Sequence, residues 1–447
     1  MHVLHIVQLY RPVPSGAARY FIEIGQRLVA EGHRVTVLTT HAFDLEHLWA
    51  TGQRSIDVPW DAHDGVQVRR FRIERLPGPP LVYPVLRRLM VEIARASGQS
   101  PRVVPLLQRM ARLTPRLPDL AGYLAQNTDL ADVSLVHSTN ISLDFFILPL
   151  LDWARTHQIP HIITPFVHLG EPHDRRIVRY YTMPHQIAVM QQSATVITQT
   201  QREGRFLEQA GVPASLLRTI GVGVTPAELS GGDGVRFRQQ HNITTPMVLT
   251  IGVAAFDKGT IHVVQAMQQL WARGIAATWV QVGPVMDHFQ RFMQQLPATD
   301  HAHIRLAGFV SNQERLDALA AADLFVLPSR TDSFGIVYLE AWCAGLAVIG
   351  AAAGGVPEVI RHGVNGLLVG FGDTSALATA IERLLRDREL ARAMGAAGRA
   401  RVHRQLTWDH LYGHVRQVYA ELSTPAAQTH HTKPGIITKK QNVSDTR

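Results

Sequence analysis

Short apolar runs recur along this chain, each closed by a small-residue turn and followed by an amphipathic stretch, and the series occurs twice. Val3–Leu9 is the first run. A loop with Pro12, Ser15 and Gly16 follows, then helical periodicity from about Ala17 to Glu31, a stop at Gly32 and a second run at Val35–Leu38. That is a β–α–β unit, and repeated units of this kind build parallel sheets covered by helices on both faces. Val133–Val136, His161–Thr164 and Thr195–Thr198 continue the series. A second series begins at Met247–Gly252 and runs through Thr278–Gly283, Ile304–Leu306, Leu324–Leu327, Ala347–Gly350 and Gly366–Val369. The expected fold is α/β, with two tandem Rossmann-like doubly wound domains, residues 1–222 and 223–404, facing a central cleft. A last helix is expected over 405–422, and a polar, disordered tail over 423–447. Ligands of such domains lie at the carboxyl ends of the strands.

The 447 residues carry 44 Lys and Arg against 36 Asp and Glu. The surplus suits phosphorylated ligands or anionic lipid, while the absence of zinc-finger spacing or basic-aromatic repeats argues against nucleic acid. The single cysteine, Cys343, excludes an internal disulfide. The N-terminal segment shows no charged region before a signal-length apolar core, and no run reaches the roughly 18 apolar residues of a spanning helix. The expected location is cytoplasmic, at most peripheral on the cytoplasmic membrane face.

One segment departs from the α/β rhythm. Eleven arginines lie between Arg69 and Arg116, opposed only by Glu74 and Glu92, with Leu81, Val85, Leu86, Leu89, Met90 and Ile93 among them. This spacing predicts a basic amphipathic insertion, about 69–118, whose cationic face would meet either solvent or an anionic membrane surface.

Lys258 is the only lysine between Met1 and Thr432. It follows the Met247–Gly252 run directly, at a strand-to-helix turn, where α/β proteins bind phosphate. Farther on, Asp323–Val369 places a strand, a stop at Pro328 and a helix start around Ser333, Phe334, Gly335, Ile336 and Val337. Free amides at such a start can hold an anion or sugar hydroxyls. Asp332 and Glu340, just over two helical turns apart, can reach two ends of an elongated ligand. Singly, each is as well explained as a cap or an ordinary helix residue.

The pattern Ser329, Phe334, Gly335, Glu340, Ala341, Ala344, Gly345, Gly354, Gly355, Glu358, Gly363 and Gly366 resembles that of the retaining GT-B glycosyltransferases of family GT4. The first strand and its loop, Gly32–Val37, Ile220–Val224, the lysine loop and Gly308-Phe309-Val310 extend the resemblance over about residues 1–422. It implies hexosyl transfer from a nucleoside diphosphate sugar to an acceptor hydroxyl, on a glycan, a lipid-linked or a small-molecule acceptor, without metal or other cofactor. It further implies that Lys258 holds the diphosphate, Glu340 the ribose hydroxyls and Asp332 the donor sugar. Ser333 to Val337 would offer amides, and Gly16 would let the first loop approach the diphosphate. His168 would stand beside the reacting carbon. Gly252 and Gly283 would line the donor site, and Gly308, Phe309 and Val310 would receive the base.

Two positions depart from the family pattern. Val253 stands where an arginine usually supports the leaving diphosphate; a charge-assisted contact of that kind is worth about 1.5–3 kcal/mol, and Arg19 is a candidate replacement. Asp332 stands where the family has glutamate, which shortens the reach to the sugar. Two alternatives share the resemblance: a GT-B nucleotide-sugar epimerase, and a catalytically silent scaffold binding nucleotide sugar or lipid.

Overall fold

The computed structural model describes residues 1–13, 15–126 and 128–423; the expected tail beyond 423 lies outside them. Among these residues fourteen strands form two sheets. They are β1 His2–Ile6, β2 Arg34–Thr40, β3 Trp60–His63, β4 Val66–Phe71, β5 Leu135–Thr139, β6 His161–Thr164, β7 Thr195–Thr198 and β8 Leu217–Thr219, then β9 Met247–Ile251, β10 Thr278–Val282, β11 Ile304–Gly308, β12 Leu324–Leu327, β13 Ala347–Ala351 and β14 Gly366–Val369. The first sheet has the order β3-β4-β2-β1-β5-β6-β7-β8, parallel except for the β3–β4 hairpin. The second has the order β11-β10-β9-β12-β13-β14 and is parallel throughout.

The central strands β1, β5, β9 and β13 are buried along their whole length. Helices cover both faces of such a sheet, so its strands read as unbroken apolar runs rather than alternating ones. β3 is different. Its residues alternate between exposed and half-buried, as an edge hairpin strand does, and no apolar run marks it.

Strand order reverses direction between β1 and β5 in the first sheet and between β9 and β12 in the second. These are the switch points, where the loops following neighbouring strands part and leave a crevice. The final helix, Trp408–Ser423, crosses back to the first sheet. Tyr412 donates to Glu31, Arg27 pairs with Asp409, and the Tyr419 hydroxyl meets His137 Nδ1 at 2.5 Å and His5 Nε2 at 3.2 Å.

The arginine-rich segment is less uniform than the expected cationic face. Arg69 and Arg70 belong to β4, and the buried Arg70 pairs with Asp61. Arg87 is also buried; its Nη1 donates to both oxygens of Asp144 at 2.8 Å, and His185 Nε2 lies 2.8 Å from the same carboxylate. Burial pushes the Asp144 carboxyl up, but Arg87 and His185 overcome it and hold it down at about 2. A guanidinium taken out of water needs a fixed anion, so these arginines serve the core. Arg88, Arg95, Arg102, Arg109 and Arg112 remain exposed, beside the exposed Leu81, Val85, Leu89, Leu106 and Leu113. Among the described residues no helix is long and apolar enough to cross a membrane.

Candidate functional site

The loops after β9 and β12 flank the switch point of the second sheet and bring Lys258 to Asp332. Phe256–Lys258 makes one 3-10 turn. Gly259, at φ +74°, then turns the chain into the helix Thr260–Ala272. A Cβ on Gly259 would stand 2.3 Å from the Pro328 carbonyl, so only glycine lets this loop lie against the end of β12. Lys258 Nζ is 3.0 Å from Asp332 Oδ1. The other oxygen, Asp332 Oδ2, is buried and has no hydrogen-bond partner among the described residues. A buried carboxylate oxygen left open is costly unless a ligand supplies the donor. Burial pushes the Asp332 carboxyl up, yet Lys258, Ser329 and His168 together hold it below the ordinary carboxylate value.

His168 belongs to the same charge group from the opposite sheet. Burial and the Lys258 ammonium lower its pKa to about 4, so the ring is neutral at pH 7. It follows β6 through Phe166, which adopts a left-handed backbone at φ +49° although it is not glycine. Such a conformation persists only where its surroundings fix it. Here Glu203 does so: one carboxylate oxygen accepts from Val167 N at 2.8 Å, the other from Gln199 N at 2.7 Å. His168 also stacks on Tyr181, with ring centroids 5.1 Å apart.

Glu340 lies on the helix Ile336–Cys343, whose N-cap is Gly335 at φ +90°. Phe334 and Gly335 thus precede the helix rather than form its first turn. Gly354 and Gly355 pack beneath this entry; side chains there would run into the carbonyls of Asp332 and Ser333 at 2.3 and 1.8 Å. The first amides of a helix have no intrahelical partner and are free to meet a ligand. Arg315 Nη1 holds Glu340 Oε2 at 2.5 Å, and Arg19 stands near the same carboxylate. Burial nonetheless raises the Glu340 pKa. Gly16, at the start of the helix Gly16–Ala30, lies close enough that an added Cβ would touch Ile336 at 3.8 Å. The two helix starts therefore face each other across the cleft.

Gly252 and Gly283 directly follow β9 and β10, and Gly308 ends the neighbouring β11. A Cβ on Gly283 would meet the Gly252 carbonyl at 2.1 Å, and Gly283 N–H donates to Gly308 O at 2.7 Å. Phe309 follows at the sheet's outer edge, 71% exposed, and Val310 is half-buried. Of the residues singled out from sequence, His168, Lys258 and Asp332 form one group. Glu340 forms a second with Arg315, and Ser333–Val337 connect the two. Arg19, the candidate replacement for the arginine absent at Val253, pairs with Glu23 and Glu228 and stands near Glu340.

Sequence reasoning named Glu358 and Gly354 only as pattern residues and did not read the contacts that tie the two halves together. Glu358 accepts from the amides of Gln201 and Arg202 at 2.8 and 2.7 Å, capping a helix of the first half from the second. Arg330 pairs with Asp257 and reaches Glu171 at 3.2 Å, while Gly354 N donates to Gly170 O at 2.8 Å. Arg315 and Tyr181 were missed as well. Neither lies in a motif, and only the fold brings them to Glu340 and His168.

Residues 234–401 match the family described as glycosyl transferases group 1, and residues 15–223 match the glycosyl transferase 4-like domain. The chain is 32% identical over 219 residues to a GDP-mannose-dependent alpha-(1-6)-phosphatidylinositol monomannoside mannosyltransferase of Mycobacterium tuberculosis, covering 46% of this chain and 56% of that protein. It is 31% identical over 192 residues to the N-acetyl-alpha-D-glucosaminyl L-malate synthase of Bacillus anthracis, covering 42% and 50%. The chain thus spans about half the length of the curated relatives it matches. Anabaena HepE in complex with UDP superposes with a TM-score of 0.68 at 18% identity, over 94% of this chain and 100% of that one. Sucrose-phosphate synthase from Thermosynechococcus elongatus gives 0.69 at 20%, over 94% and 98%. With the GT-B architecture and both halves matched, the chain belongs to the group 1 glycosyl transferases of family GT4.

Proposed function

We propose that the protein transfers a hexosyl group from a nucleoside diphosphate sugar to an acceptor hydroxyl, with retention of anomeric configuration and without a metal. The observation that carries this reading is the Lys258–Asp332 pair at the switch point, with Asp332 Oδ2 open and neutral His168 opposite. Lys258 and the amides of Ser333–Val337 receive the diphosphate as the glycosidic bond breaks, where negative charge develops. Asp332 Oδ2 accepts from a donor-sugar hydroxyl, and Glu340, oriented by Arg315, accepts from the ribose. Gly252, Gly283 and Gly308–Val310 line the base side. His168 stands on the acceptor side, and the leaving phosphate takes the acceptor's proton. Among the described residues no three His, Cys, Asp or Glu side chains are grouped to hold a metal.

Relatives whose names include a phosphatidylinositol acceptor support a lipid-linked acceptor here. The exposed leucines and arginines of the Val82–Ala96 and Val104–Ala111 helices support a peripheral location on an anionic, cytoplasmic membrane face. The test is a donor screen with UDP-, GDP- and ADP-sugars that monitors nucleotide release, followed by product mass and anomeric NMR. Acceptor-dependent release that survives EDTA supports the reading. Conversion of the donor alone into an isomer points to an epimerase, and binding without turnover across a broad acceptor panel points to a scaffold.

A further inference from the structure

Arg330 is gripped by three loops of the second half. It follows β12, and its guanidinium lies over the rings of Phe256, after β9, and Phe371, after β14, at 5.2 and 4.9 Å from their centroids. Its Nε and Nη2 meet Asp257 Oδ1 at 2.8 and 2.7 Å, and its backbone N–H donates to the Asp257 carbonyl at 3.0 Å. The planar fork is therefore fixed within its own half. The remaining nitrogen, Nη1, donates to Glu171 Oε1 of the first half at 3.2 Å. Glu171 stands three residues after His168, in the loop that follows β6. The Gly354 N–H ties the same loop a second time, donating to the Gly170 carbonyl at 2.8 Å. On the other side, Asp257 is the chain neighbour of Lys258, and Arg330 lies two residues before Asp332.

We propose that Arg330 is a positioning residue, which through Glu171 seats the His168 loop against the Lys258–Asp332 pair; its bearing on turnover rests on the glycosyl-transfer reading above. Arg330 and Glu171 are both half-buried, and ion pairs that reach water add little to fold stability. What this pair fixes is geometry. A shift of about 1 Å at a reacting group costs about 100-fold in rate. Because Asp257, Phe256 and Phe371 already order the guanidinium, little side-chain freedom is left to lose when Glu171 meets it. Neither Arg330 nor Glu171 belongs to the pattern shared with the family.

The test is NMR of the full chain labelled with carbon-13 at histidine Cε1, with the His168 signal assigned by its loss in His168→Asn. The parent is compared with Arg330→Gln, Glu171→Gln and the double variant. Burial and Lys258 hold the His168 pKa at about 4, against the opposite pull of Asp332 and Asp257. A loop that leaves its seat rehydrates the ring and takes it away from Lys258, so the midpoint moves toward 6.5. The expected result is a rise of at least one pH unit in both single variants, with the double rising no further. Loss of charge alone would instead raise the midpoint in Arg330→Gln and lower it in Glu171→Gln. Glu171→Gln therefore decides the matter even if Arg330→Gln does not fold. UDP and GDP affinities stay within twofold of the parent's, while kcat falls about tenfold with the donor KM within twofold, and Arg330→Lys restores part of the loss. A midpoint that is unmoved or lowered in Glu171→Gln, or a double variant that sums the two shifts, would overturn the proposal. If the parent turns over no donor while His168 moves as expected, the transfer reading fails and the positioning role stands.

Discussion

Lys258 and Asp332, 74 residues apart, meet at 3.0 Å because each leads a loop on one side of the same switch point. One oxygen of the carboxylate balances the ammonium, and the other has no hydrogen-bond partner among the described residues. The pair is half of a site: charge for a phosphate on one side, an acceptor for a hydroxyl on the other.

Asp332→Asn keeps the shape and removes the charge. The account expects kcat/KM for the nucleotide sugar to fall about 100-fold, the scale of losing one positioned charged group. Affinity for the free nucleotide should hold or rise, since Lys258 loses its competing anion. Steady-state kinetics beside calorimetry of UDP and GDP checks both halves of the expectation.

Arg315→Ala leaves Glu340 without its partner. Burial already raises the Glu340 pKa and Arg315 opposes it, so removing Arg315 raises it further. Nucleotide affinity should fall about tenfold at pH 7, or about 1.4 kcal/mol, and fall further as the pH drops and the carboxylate protonates. Arg315→Lys should restore part of the loss. Calorimetry between pH 5 and 8 measures this.

Glu358→Ala removes a cap that crosses between the halves. Caps contribute about 0.5–2 kcal/mol, so exchange at the Gln201 and Arg202 amides should quicken by about 2- to 30-fold. Hydrogen exchange with peptide-level resolution reads it directly.

His5 and His161 are fully buried, and burial lowers both to about 3. Their folded pKa lies below the unfolded value of 6.5, so the unfolded chain binds more protons between these limits. The stability they contribute is complete above pH 6.5 and is lost as the pH falls toward 3, at about 1.4 kcal/mol per pH unit for each ring. Urea unfolding at pH 7, 6 and 5 should show the midpoint falling. His161→Asn should flatten that fall.

Much of this architecture is legible in the chain because fully buried parallel strands write themselves as continuous apolar runs. The β9 and β12 runs were plain, and so were the loops they carry, which is why Lys258 and Asp332 could be named. What alternates or pairs at long range was not legible. β3 exposes every second residue and shows no run. Arg70 and Arg87 looked like surface charge, because nothing local betrays Asp61 or Asp144 as their partners. Arg315 and Glu203 act through residues 25 and 36 positions away, distances that only the winding of the sheets closes.

The central claim is that Lys258 binds a diphosphate at this site. Titration of UMP, UDP, GMP and GDP into the parent and into Lys258→Ala tests it most directly. The account predicts that one diphosphate binds the parent at least tenfold more tightly than its monophosphate, and that Lys258→Ala erases this difference. An undiminished diphosphate preference in Lys258→Ala would contradict it.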